Sequence, residues 1–125
     1  MQKTTTSQFL NRLFSALWDK LDPTKVDEFY HADVIGYVGA QQINIKDIKH
    51  RASFSQQVFA SMQTEIVDVI VEDNKIAARL RQVAVRKDNK EKFEHNPMII
   101  YQLRDNKVSH LWLLTDKPFD YKEKI

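Results

Sequence analysis

Residues 67–80 read VDVIVEDNKIAARL, and the order of residues around Asp73 and Asn74 decides the fold of the second half of the chain. Asp and Asn tolerate the positive φ angles of a two-residue hairpin loop, which matters in a chain with only two glycines. Taking Asp73-Asn74 as that loop pairs Val71 with Ile76, Val69 with Ala78 and Val67 with Leu80 on one face. The other face pairs Asp68 with Arg79 and Glu72 with Lys75. One face is apolar and the other ion-paired, as a half-buried antiparallel sheet requires. The tripeptide Asp-Asn-Lys recurs at 88–90 and 105–107, so three hairpins join four strands into a meander.

Carrying the same count onward places Phe93, Pro97, Ile99, Tyr101 and Leu103, then Val108, Trp112 and Leu114, on the apolar inner face. A slip of one residue would reverse a strand's faces, so agreement across three turns supports the register. The inner face also receives a polar row, Glu65, Gln82, His95 and Asp116, one from each strand. Buried polar groups need partners or water, so these four either satisfy one another or line a cavity. His95 opposite Asp116 is the sharper pair, because a carboxylate orients an imidazole and raises its basicity. Pro97 cannot donate to a ladder; it marks a bulge that would shift His95 relative to Asp116. His110 falls opposite Tyr101.

The outer face receives Ile70, Met98, Ile100, Leu111 and Leu113, bordered by Arg79, Arg81, Gln102 and Thr115. An exposed apolar patch of this kind usually meets a partner, and a homodimer through this convex face is expected.

Working back toward the N-terminus, Phe9, Leu10, Leu13, Phe14, Leu17, Trp18 and Leu21 keep the spacing of a helix with one buried face, with Thr5 and Gln8 as its capping box. Asp22-Pro23 opens a short second helix that turns Val26, Phe29 and Tyr30 inward. Val34–Val38 reads as a strand closed by Gly39. Asn44 caps a third helix carrying Ile45, Ile48, Ala52, Phe59 and Met62. The fold class is therefore α+β, three N-terminal helices packed on a curved antiparallel sheet, in a single domain over 1–125. The tail from Lys117 is charged but contains Phe119 and Tyr121, which can pack.

Composition narrows the chemistry. Nineteen basic and 17 acidic residues leave a formal charge of +2, too small an excess for a nucleic-acid binder, and Arg79, Arg81, Arg86, Lys87, Lys90 and Lys92 read as a solvated face. The absence of cysteine removes disulfides, thiol nucleophiles and thiolate metal sites. His31, His50, His95 and His110 lack ligand spacing, so neither a metal nor a cofactor is expected. No apolar run reaches membrane-spanning length and no secretory signal is apparent, which makes a cytoplasmic location the default expectation.

The segments Phe29-Tyr30-His31-Ala32-Asp33-Val34 and Asn106-Lys107-Val108-Ser109-His110-Leu111-Trp112-Leu113-Leu114-Thr115-Asp116, in this order of elements, resemble the SnoaL-like branch of the nuclear transport factor 2-like superfamily. The resemblance implies a cone with an internal pocket for a small apolar ligand, and pairing through the sheet. In SnoaL-like polyketide cyclases an aspartate late in the final strand is the general acid/base, and Asp116 looks like its counterpart. Ketosteroid isomerases share the fold, but where they place their base this chain reads Gly36-Tyr37-Val38-Gly39, and its first helix offers Trp18 and no tyrosine.

Two functions stay open. In the first, the protein is an isomerase, cyclase or lyase without a cofactor. Asp116 moves the proton, His95 tunes it, Gln82 or Tyr37 donates a hydrogen bond, and Trp18, Glu65, Tyr101 and Trp112 complete the pocket. In the second, the same features form a non-catalytic ligand-binding or protein-interaction module, and the tryptophans are core.

Overall fold

The computed structural model describes residues 2–121 and, within helix α1, leaves the side chains of 2–5 and 7 undescribed. The Thr5–Gln8 capping box lies outside the described residues. Helix α1 spans Gln2–Leu13 and, in place of continuing to Leu21, widens into a π-helical turn over Phe14–Trp18, with Asp19 N–H donating to the Phe14 carbonyl at 2.8 Å. Leu21, at φ +54°, stops the helix. Asp22 caps the next turn by accepting from the Thr24 amide at 3.0 Å, with Pro23 at its first position. Helix α2 (Val26–Phe29) then buries Val26 and Phe29.

Tyr30 adopts extended backbone and begins β1 (Tyr30–Val38), which therefore starts four residues before the expected Val34. After β2 (Gln41–Ile43), Asn44 and Asp47 close a reciprocal capping box on α3 (Ile45–Val58). This helix is shorter than its spacing suggested. Phe59 is extended, so Phe59 and Met62 belong to β3 (Phe59–Glu72), where they still face inward.

The remaining strands are β4 (Lys75–Arg86), β5 (Lys92–His95), β6 (Met98–Arg104) and β7 (Lys107–Leu114). They form a seven-stranded sheet in the order β2-β1-β7-β6-β4-β3, with β5 also on β4. Only the β1–β7 pairing is parallel among the described strands. The third hairpin has both loop residues in the left-handed region, Asp105 at φ +52° and Asn106 at +64°. The second is looser. There the positive φ falls on Lys90, and Arg86 N–H reaches across to the Glu91 carbonyl at 2.9 Å.

The count holds along the middle of the sheet and fails at its flanks. Gln82 pairs with His95 and Ile76 with Tyr101, so Pro97 interrupts the strand without shifting it. Between β3 and β4 the pairs Val71–Ile76 through Asp68–Arg79 are as counted, but Val67 is bulged out and Ile66 faces Leu80. Between β6 and β7 the bulge is Ser109: Leu103 pairs with Val108, then Gln102 with His110 and Tyr101 with Leu111. The Ser109 hydroxyl fixes that bulge by donating to the Gln102 carbonyl at 3.1 Å. Each bulge turns its strand over beyond that point.

The main core joins Phe9, Leu13, Leu17, Val26 and Tyr30 from the helical side and β1 to Ile76, Leu80, Ile99, Tyr101, Val108 and Leu111 of the sheet. Gly36 is required by this arrangement, since a Cβ there would meet Ile43 and Leu111 side-chain carbons at 2.9 Å. A second cluster, Phe54, Val58, Phe59 and Ala84, packs against Leu21, Met62, Phe119 and Tyr121. The C-terminal tail thus folds back over the sheet, with the Phe119 ring 5.1–5.7 Å from those of Phe54, Phe59, Phe93 and Tyr121. On the outer face Ile70, Met98, Ile100, Trp112 and Leu114 are exposed. Leu111 and Leu113, expected there, have exchanged places with Trp112 and Leu114 through the Ser109 bulge.

Candidate active site

Between the helices and the inner face lies a cavity of about 350 Å³. Its walls are mainly apolar: Phe14 and Trp18 from the π-turn, Val38 and Ile43, Leu80, Ile99, Leu111 and Leu113 from the sheet, and Pro118 and Phe119 from the tail. Gln41, Arg51 and two hydrogen-bonded groups break this surface; the first group runs from Gln82, His95 and Thr115 in the wall to Thr64 and Asp19 outside it.

The first group is a line across the sheet. His95, the last residue of β5, places Nε2 2.8 Å from Gln82 Oε1 on β4 and Nδ1 2.8 Å from Thr115 Oγ1 just past β7. Gln82 Nε2 donates to Thr64 Oγ1 on β3 at 3.0 Å. Thr64 in turn is gripped by Asp19, which follows the π-turn: the hydroxyl donates to Oδ1 at 2.6 Å and the amide to Oδ2 at 3.1 Å. Burial lowers the pKa of His95 below its ordinary 6.5, partly offset by the nearby Asp116 carboxylate. The imidazole is therefore neutral at pH 7 and able to accept a proton. Burial likewise raises Asp19, against the lowering effect of the Thr64 hydrogen bonds.

The second group is aromatic. Trp18 Nε1 donates to Tyr30 Oη at 3.2 Å, and Tyr30 Oη lies 3.4 Å from Tyr101 Oη. Burial raises both phenols, Tyr101 well above the usual value of 10.0, so both remain protonated donors. Arg51 of α3 also reaches the cavity, its guanidinium 4.5 Å from the centre of the Tyr121 ring. Among the described residues no three His, Asp or Glu side chains gather as metal ligands, and no helix is long and apolar enough to cross a membrane.

Of the residues singled out in the sequence, Trp18, Gln82, His95 and Tyr101 line the cavity, and Gln82 and His95 touch. Four do not. Asp116 is turned outward by the Ser109 bulge and binds Asn96, accepting from its amide at 2.7 Å and its side chain at 3.0 Å. Those bonds, the side-chain one first, hold its pKa at about 2, a fully ionised surface carboxylate. Glu65, displaced by the Val67 bulge, pairs with Arg81 on the outer face at 4.0 Å. Trp112 stacks on His110 outside, 6.1 Å between ring centres, and Tyr37 pairs with Trp112 in the β1–β7 ladder. In place of the expected Glu65, Gln82, His95 and Asp116, the row across the sheet is Thr64, Gln82, His95 and Thr115: each bulge exchanges a carboxylate for the threonine beside it.

Asp19, Thr64, Thr115, Tyr30 and Arg51 were missed as site residues. Gly36 carried a signal for Thr115. A glycine beside β7 leaves room for an inward leucine at 111, which fixes the parity of Leu113 and Thr115.

No match was found among curated proteins. Solved structures with the same fold are numerous. AclR from Streptomyces galilaeus, proposed to be a hydroxylase, superposes with a TM-score of 0.82 at 14% identity, covering 91% of this chain and 76% of its own. A protein from Jannaschia sp. CCS1, proposed to be a SnoaL-like polyketide cyclase, gives 0.76 at 14% identity over 92% of this chain and 88% of its own. An LEH-like epoxide hydrolase from M. tuberculosis gives 0.76 at 12% identity over 93% and 86%. Residues 10–111 match the SnoaL-like domain, most of the chain, and the protein belongs to that family.

Proposed function

We propose that this protein takes up a small, largely apolar molecule in its cavity and moves a proton on it without a cofactor, as an isomerase, cyclase or lyase does, with His95 as the acid/base group. The observation that carries this reading is an imidazole, hydrogen-bonded at both nitrogens, set into a mainly apolar wall. The Thr115 hydroxyl has two acceptors within reach, His95 Nδ1 at 2.8 Å and Asp116 Oδ1 at 3.4 Å. When it rotates to Asp116, the Nδ1 lone pair is free to take a proton from an acidic C–H of the ligand. The imidazolium so formed is held by Gln82 Oε1 and the Asp116 charge, and it returns the proton to another atom of the ligand. Tyr101, and behind it Tyr30, are the donors for an oxygen that gains negative charge, the role the sequence had suggested for Gln82 or Tyr37. Gln82 is instead occupied by His95 and Thr64. Structural neighbours described as a proposed polyketide cyclase and an epoxide hydrolase support chemistry on small organic molecules in this fold.

The test starts with a thermal-shift screen of cyclic ketones and aromatics, followed by NMR of a bound ketone in D₂O. The wild type exchanges the ligand's α-hydrogens, and His95→Gln slows that exchange by about 10²–10⁴-fold. Saturating ligand with exchange no faster than in buffer would leave a binding module only. The same reading includes a second copy on the outer face, against Ile70, Met98, Ile100, Trp112 and Leu114. Sedimentation as a monomer at high concentration would remove that part.

A further inference from the structure

Asp19 does not line the cavity. Together with Thr64 it opens on a separate surface groove with Asn11, Arg12 and Ser15. We infer that Asp19 is a positioning residue that fixes the tautomer of His95 through Thr64 and Gln82.

The argument is one of counting protons along the line. Both Asp19 oxygens take donors from Thr64, the arrangement of a carboxylate that only accepts. One oxygen is committed to the Thr64 amide, a donor that cannot reverse. The other, at 2.6 Å from Thr64 Oγ1, has the length of a charge-assisted hydroxyl–carboxylate bond, so the single hydroxyl proton of Thr64 points at Asp19. Thr64 Oγ1 can then only accept from Gln82, which turns the amide nitrogen toward Thr64 and the amide oxygen toward His95. That oxygen has no proton to give, so His95 must carry one on Nε2. A neutral imidazole has a single N–H, which leaves Nδ1 as a bare lone pair facing the Thr115 hydroxyl. The line transmits polarity, not protons, because an amide does not relay a proton in its ordinary form. Reversing any member would set donor against donor or acceptor against acceptor at 2.6–3.0 Å.

The catalytic meaning of this rests on the reading of His95 as the acid/base group; the tautomer itself does not, and it is measured without a ligand. Long-range ¹H–¹⁵N correlation spectra of the full chain, at a pH where His95 is neutral, give the Nε2–H form alone in the wild type. Thr64→Val keeps the side-chain volume but cuts the line, and the His95 signals move to a mixture of tautomers. Thr64→Ser restores the wild-type pattern. An Nδ1–H imidazole in the wild type overturns the inference, as does an unchanged tautomer in Thr64→Val. Should Thr64→Val fail to fold, Asp19→Asn reports the same shift, and the wild-type spectrum alone can refute the idea. A protein with the Nε2–H tautomer but no exchange on any ligand keeps the relay and loses the catalytic reading. Exchange activity with a mixed tautomer does the opposite. Where both hold, Thr64→Val lowers kcat while leaving KM close to the wild type.

Discussion

The ladder of β4 with β5 and β6 and the two ladders flanking it follow different rules. Along β4 a single count runs from Val85–Lys92 to Lys75–Gln102, undisturbed by the proline between them. The β3–β4 ladder skips Ala60 and Val67, and the β6–β7 ladder skips Ser109. The difference teaches that a bulge is a device for choosing which neighbour joins the inner row. On both flanks it removes a carboxylate from the inner row and inserts a hydroxyl: Thr115 in the cavity wall, at far lower cost than an unpaired charge, and Thr64 beside Asp19.

The largest effect expected from breaking this comparison is at Leu111. Leu111→Ala should cost about 2–5 kcal/mol by denaturant melts, because the bulged register buries it, whereas Trp112→Ala should cost about 1 kcal/mol or less in the monomer. The unbulged count demands the reverse order. Gly36→Ala comes next, at about 1–3 kcal/mol, since Ile43 and Leu111 have no room for its methyl group. On the β3 flank, Thr64→Val should cost about 1–3 kcal/mol by stranding the Gln82 amide and Asp19, while its neighbour Glu65→Gln stays within about 0.5 kcal/mol.

The smallest effects are in pH dependence, and they separate the two residues once paired on paper. For His95 the folded pKa lies below 6.5, so the unfolded chain binds the extra proton first and stability falls as pH drops below 6.5 toward the folded value. His95→Gln should remove that step from thermal melts. For Asp116 the folded value is about 2 against 3.8 unfolded, so its contribution is present above 3.8 and is lost as pH falls through about 2. Asp116→Asn should flatten only this acid window.

The architecture was legible because helix spacing, the Asp22-Pro23 and Asn44 caps and the Asp-Asn turns each act locally. The central register was legible for the same reason, since β4 alternates Ile76, Ala78, Leu80 with Arg79 and Arg81. The flanks were not. In Leu111-Trp112-Leu113-Leu114 both parities are apolar, so hydrophobicity alone cannot say which pair is inside, and a bulge at Ser109 leaves no mark on that alternation. The residues Val67 to Val71 pose a similar problem near an edge strand. Asp19 was invisible for another reason: its partner Thr64 is 45 positions away, and the π-turn that aims it depends on packing rather than on local propensity.

The cavity also divides the interior. Phe119 and Tyr121 belong to the small aromatic cluster with Phe54 and Phe59, apart from the core beneath α1, while forming part of the cavity wall. The tail carrying Phe119 and Tyr121 has no ladder pairing, so it can lift off this cluster without breaking the sheet. Ligand entry should then be paced by this opening: observed association rates in stopped-flow mixing level off at high ligand concentration, and Phe119→Ala raises the plateau. A rate that climbs linearly without limit would show that the aromatic tail does not stand in the way.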